Sequence, residues 1–149
     1  MKYLSYILRL LYWRRISGIQ HLRLGGFIQV SKKNTITLNG RSFFGKGCYL
    51  GANIQAEGDL LVGPGVFFVG GDHRIPQRDE NLSYFDSGRG ILKDIVIEKN
   101  VWIGAKAVIM AGVTLAEGTI IAAGSTITKS TEPFAIYGSS AQKKIKTIQ

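Results

Sequence analysis

Every sixth residue from Leu38 onward is apolar: Leu38, Phe44, Leu50, Ala56, Val62 and Phe68. A second run keeps the same interval through Ile91, Ile97, Ile103, Ile109, Leu115, Ile121 and Ile127. The residue after the anchor is often small or polar, as in Gly45, Gly51, Gly63, Gly104, Ala116 and Ala122. Four places after the anchor comes a small or β-branched residue, among them Ser42, Cys48, Val66, Val101, Ala107 and Val113. Six matches neither the ~3.6 period of an α-helix nor the ~2 of a plain strand. It matches a solenoid in which each hexad forms one short flat side and a turn. Three hexads then close a triangular coil, and each coil buries the apolar face of the next by parallel pairing.

The composition agrees. There are 19 glycines in 149 residues and only three prolines, while Ile, Val and Thr are abundant. That mixture favours short strands joined by glycine turns over helices. Apolar residues make up 45% and charged residues 19%, which excludes a disordered chain and suits one ordinary domain. The single cysteine, Cys48, excludes an intrachain disulfide framework and reads as a small buried apolar residue.

The two hexad runs are out of phase, so residues 74–90 are expected to leave the coil as a polar excursion ended by Gly88 and Gly90. Long excursions from a regular scaffold tend to carry function, and Tyr84 and Phe85 within this one point to an ordered role at the acceptor. Upstream, Leu4, Ile7, Leu8, Leu11 and Tyr12 follow the spacing of an amphipathic helix, which predicts a short helical arm over residues 1–20. Residues 21–37 read as irregular lead-in strands. The expected organisation is an arm with lead-in strands over 1–37, a parallel β-helix over 38–132 and a C-terminal extension over 133–149 with a basic tail. After Pro133 the chain is expected to leave the solenoid.

The net charge of +9 is uneven. Residues 1–56 hold nine Lys and Arg and no Asp or Glu. This excess suits an anionic substrate or an anionic membrane surface. Nucleic acid is not an expected partner, because no recognition motif accompanies the charge. For the arm two placements stay open: a membrane interface, with Tyr3, Tyr6, Tyr12 and Trp13 at headgroup depth, or packing on the solenoid or a neighbouring subunit.

His73 follows Gly70-Gly71-Asp72 at the point where the first hexad run breaks. An imidazole removes a proton from a hydroxyl or amine near neutral pH, and preceding glycines let a ligand approach the backbone. Asp72 either orients that imidazole or forms a turn with its own backbone. With His21 in the lead-in region, His73 stands alone in the coils, so a three-histidine metal site is not expected.

From about Leu38 to Ile145 the chain resembles the hexapeptide-repeat acyltransferases of the xenobiotic, maltose and galactoside acetyltransferase type, and in style the short O-acetyltransferases of polysaccharide gene clusters. The resemblance rests on Pro64-Gly65-Val66 running to Asp72-His73, on Asn100-Val101-Trp102-Ile103-Gly104-Ala105, and on Ala111-Gly112-Val113-Thr114. Ile121-Ala122-Ala123-Gly124-Ser125 and Gly138-Ser139-Ser140-Ala141 complete it. It implies a left-handed coil, against the usual right-handed crossover. It implies a homotrimer that binds acetyl-CoA between neighbouring solenoids, uses no metal, and moves the acetyl group to a saccharide hydroxyl with His73 as general base. Gly104, Ala105 and Ala123 match positions along the pantetheine arm, Thr128 and Lys129 positions near the nucleotide end. Lys143 and Lys144 stand where CoA phosphates would be met, since Ser140 and Gln142 replace the proline and lysine of the family's usual terminal motif. Trp102 matches an aromatic near the active site, with packing as the alternative. The expected location is the cytoplasm, with residues 1–20 as a peripheral contact to the inner face of the membrane. N-acetylation of an amino sugar and a catalytically inactive scaffold are the rival readings.

Overall fold

The computed structural model describes residues 15–71, 73–139 and 143–147. Among these described residues, seventeen short strands wind through three sheets. They are β1 (Ile16–Ser17), β2 (Leu22–Leu24), β3 (Gln29–Val30), β4 (Ile36–Leu38), β5 (Ser42–Phe44), β6 (Tyr49–Leu50), β7 (Ile54–Ala56), β8 (Leu60–Val62) and β9 (Phe67–Val69). After the excursion come β10 (Ile95–Ile97), β11 (Val101–Ile103), β12 (Val108–Met110), β13 (Thr114–Leu115), β14 (Ile120–Ile121), β15 (Thr126–Ile127), β16 (Ala135–Gly138) and β17 (Lys143–Thr147). Sheet A stacks β1, β4, β7, β10 and β13; sheet C stacks β3, β6, β9, β12 and β15. Sheet B runs β2, β5, β8, β11, β14, β16, β17. Every pairing is parallel except β16 with β17. The fold is a left-handed parallel β-helix.

Each flat side points two residues inward, the anchor and the residue two before it. Thus Ile54 and Ala56, Leu60 and Val62, Val66 and Phe68 are all buried, with Gln55, Leu61 and Phe67 facing out. The slot two before the anchor is the small or β-branched position of the sequence pattern. Stacking puts anchor over anchor, Phe44 on Val62 and Leu50 on Phe68, and between sheets the Phe44 and Phe68 rings meet with centroids 6.2 Å apart. Burying one such isoleucine or leucine contributes roughly 1.5–3 kcal/mol, so the inner columns hold the coils together.

The turn from sheet B to sheet C explains a column of glycines. A Cβ on Gly63 would lie 2.6 Å from Ala105 N, and one on Gly104 would lie 2.5 Å from Ala123 N. No side chain fits between coils there. Two places further along the same turn, Gly65, Lys106 and Gly124 take left-handed backbone with φ of 67°, 57° and 72°.

Four expectations change. The solenoid begins at Ile16 rather than Leu38. Ile16 pairs with Ile36, while Ile36 pairs with Ile54, so the corner over residues 31–35 is two residues longer than its counterparts. That insertion shifts the hexad phase and hides the first coil. Residues 16–20 of the expected helical arm form β1 and the start of a short 3-10 turn, Ile19–His21, instead of α-helix; the stripe Leu4 to Tyr12 lies outside the described residues. Ile91 is 90% exposed. Its phase is right, but β9 already fills the sheet C side of that coil, so Ile91 has no slot and the inward positions pass to Ile95 and Ile97. Finally, the chain does not leave the solenoid at Pro133: Ala135–Gly138 adds a strand to sheet B, pairing Ile136 with Ile120.

Candidate active site

The excursion departs after β9 and returns at β10. Its neck is zipped: His73 pairs with Arg89 in an antiparallel bridge, and Arg74 N donates to Gly88 O at 3.0 Å. Arg89 Nη1 also donates to Gly71 O at 3.1 Å. Inside the loop, Arg74 ties opposite walls, with Nη1 donating to Glu80 Oε1 at 2.9 Å and Nε to Ser87 O at 3.3 Å. The buried Ser87 hydroxyl donates to Tyr84 O at 2.9 Å. The backbone of His73 is therefore held on both sides while its side chain stands exposed at the corner between sheets C and A. Asp72 lies outside the described residues.

The other candidates occupy different parts of the prism. Gly104, Ala105 and Ala123 line the edge between sheets B and C in adjacent coils; Gly124 N donates to Ala105 O at 2.8 Å. Packing alone already requires a glycine at 104. Trp102, half exposed, stands on the outer face of sheet B. Thr128 and Lys129 follow β15 on the C-to-A edge, two coils beyond His73. Lys143 and Lys144 lie on β17, opposite Gly138 and Tyr137. The Lys144 ammonium pairs with Glu132, which raises its pKa. That engagement leaves Lys143 the freer cation for a phosphate. Tyr84 and Phe85 are exposed on the excursion, 73% and 90% respectively. One chain thus separates His73 from the pantetheine candidates by the whole width of sheet C.

The three middle outward positions of that sheet are apolar or aromatic, and the two end positions are polar. Register aligns Gln29, Tyr49, Phe67, Val108 and Thr126, and the Tyr49 and Phe67 rings lie 6.0 Å apart. Sheet A differs, aligning Ser17, Thr37, Gln55, Val96 and Thr114. Sequence reasoning overlooked these outer ladders and the neck residues Arg74 and Arg89. The signal for the ladders was the residue just before each anchor: where it is large and apolar, as at Phe43, Leu61, Phe67 and Trp102, the outer face carries an apolar surface. Among the described residues no group of three His, Cys, Asp or Glu side chains stands where it would hold a metal.

The chain resembles the bacterial transferase hexapeptide family (six repeats), whose model matches residues 94–129. It is 51% identical over 96 residues to a probable macrolide acetyltransferase of Lysinibacillus sphaericus, a match covering 64% of this chain and 49% of the relative. It is 34% identical over 90 residues to a galactoside O-acetyltransferase of Lactococcus lactis, covering 58% of this chain and 43% of the relative. The chain therefore spans about half the length of these relatives or less. A galactoside acetyltransferase solved with coenzyme A shares the fold, with a TM-score of 0.71 at 22% identity over 86% of this chain and 64% of that one. No helix among the described residues is long and apolar enough to cross a membrane.

Proposed function

We propose that the protein transfers an acetyl group from acetyl-CoA to a saccharide hydroxyl. The observation that carries the reading is His73, held by its backbone at the zipped neck with its imidazole exposed. The acetyltransferase names of both relatives support the donor, and the galactoside relative supports the acceptor. His73 Nε2 or Nδ1 accepts the hydroxyl proton as the acceptor oxygen bonds to the thioester carbonyl carbon. The carbon–sulfur bond then breaks, and the imidazolium returns the proton to the leaving thiolate. Turn N–H groups at the B-to-C edge supply the kind of donors that stabilise the developing oxyanion. Asp72 is assigned to orienting the imidazole.

The separation of the candidates within one prism supports a homotrimer. His73 on the C-to-A edge of one subunit would face Gly104, Ala105 and Ala123 on the B-to-C edge of the next, with the apolar ladder of sheet C buried between copies. Thr128, Lys129, Lys143 and Lys144 then serve the nucleotide end, and Trp102, Tyr84 and Phe85 the acceptor. Acetyl-CoA as donor places the reaction in the cytoplasm, at the inner face of the membrane if residues 1–20 hold it there.

Titration of the full chain with acetyl-CoA, followed by a thiol-release assay with a galactoside acceptor, tests the reading. Saturable binding and acceptor-dependent thiol release are expected; no binding of acetyl-CoA would end it. Sedimentation is expected to give a trimer, and a stable monomer at assay concentration would contradict the shared site.

A further inference from the structure

Sheet B presents a second ladder outward. Register places Arg23, Phe43, Leu61, Trp102 and Ile120 side by side on five adjacent strands. Phe43, Leu61 and Trp102 are 37%, 47% and 50% exposed, an apolar strip with nothing over it in the described chain. The strip floors a groove of about 820 Å³. Its far end is bounded by Phe134, its near end by His21, Arg23 and Arg41.

The two ends differ in charge. The first two coils, residues 15–56, carry Arg15, Arg23, Lys32, Lys33, Arg41 and Lys46 and no acidic residue. Of the two arginines on the groove, Arg41 is committed to Asp59 from the next coil, Nε donating to Oδ2 at 3.0 Å. Arg23 is exposed and makes no hydrogen bond or ion pair among the described residues. Strand spacing puts Arg23 about 14 Å from Trp102, three strand intervals of ~4.8 Å. An occupant of this groove meets an apolar, partly aromatic floor first and an uncommitted guanidinium at its end. Sugar rings present apolar C–H faces that suit such a floor, and a guanidinium forks two donors onto a phosphate.

We propose that this groove binds the acceptor, and that Arg23 selects saccharides carrying a phosphate beyond the ring that is acetylated. The proposal rests on the acetyl-transfer reading above and adds to it the acceptor's charge. Charge complementarity chooses the occupant: a neutral saccharide would leave the basic end unanswered, and the positive field of the first coils draws anions toward it.

Calorimetric titration of the full chain with maltose 1-phosphate, maltose and inorganic phosphate tests the proposal, without requiring turnover. The sugar phosphate is expected to bind at least tenfold more tightly than either maltose or inorganic phosphate, as a charge-assisted bidentate contact implies. Arg23→Gln is expected to bring the ratio of sugar phosphate to maltose close to one. Trp102→Ala, an outward and half-exposed position, is expected to weaken both sugars several-fold. Equal affinity for the two sugars in the unaltered protein would overturn the proposal. So would Arg23-dependent binding to phosphatidylglycerol vesicles with no sugar binding, which would make the basic end a lipid contact. A change in sedimentation of Trp102→Ala with no change in sugar affinity would also overturn it, making the face an interface between copies. Titration with acetyl-CoA runs separately, so failure of the donor reading is told apart from failure of the groove.

Discussion

Asn53 Nδ2 donates to Asp94 Oδ1 at 2.8 Å across 41 residues of chain, and so fixes where the excursion rejoins the prism. The same asparagine accepts from Thr35 N at 3.0 Å through Oδ1, which links three successive coils in one line. Gln55 Nε2 donates to the second Asp94 oxygen at 2.8 Å, and Gly112 N donates to Asp94 O at 3.1 Å. The re-entry register is therefore held by side chains on the outside as well as by Ile95 and Ile97 within.

Asp94→Ala removes both acceptors and leaves two amides without their partners. A loss of about 1–2 kcal/mol in urea unfolding is expected, and a smaller loss for Asp94→Asn, which keeps one acceptor. Equal stability of Asp94→Ala and the unaltered protein would show that packing alone sets the register.

Ile109 and Ile91 share a hexad phase but not a fate. Ile109 is fully buried and Ile91 is 90% exposed. Ile109→Asp would bury an unpaired charge and is expected to abolish soluble expression, whereas Ile91→Asp is expected to change stability by no more than about 0.5 kcal/mol. Expression trials followed by thermal unfolding compare the two.

This contrast marks how far the sequence alone reaches. A period of six reports that a residue has the right spacing for an inward slot, and from Leu38 to Phe68 and Ile97 to Ile127 every such slot is filled. It cannot report that the slot is already occupied, as β9 does to Ile91, nor survive the two extra residues at 31–35 that hide the first coil. The place of His73 at the neck of the excursion was legible because it interrupts a pattern. The ladder from Arg23 to Ile120 was not, because its members come from five strands brought together only by stacking.

Cys48 is buried, and its Sγ donates to Gly63 O at 3.3 Å. Burial pushes the thiol pKa up, against smaller opposing contributions from the backbone at Val66 and Gly65. A thiol pKa raised on folding means the protonated form is preferred in the fold. The stability this contributes is present below the ordinary thiol value of about 8.5 and is lost as pH rises through the folded value. The native protein is expected to resist a disulfide reagent at pH 8 and to release one thiol per chain in denaturant. Cys48→Ala is expected to flatten the alkaline fall in stability; rapid reaction of the native thiol would contradict its burial.

The most direct test of the acetyl-transfer account compares the full chain with His73→Ala, measuring acetyl-CoA affinity and the rate of acceptor-dependent CoA release in the same preparations. His73 stands exposed at a neck held by backbone contacts, so its truncation leaves the fold unchanged. The account predicts an unaltered Kd for acetyl-CoA with kcat lower by about 10²–10⁴, the usual contribution of a positioned general base. A kcat within a factor of about three of the unaltered protein, at the same acetyl-CoA affinity, would remove His73 from the reaction and contradict the account.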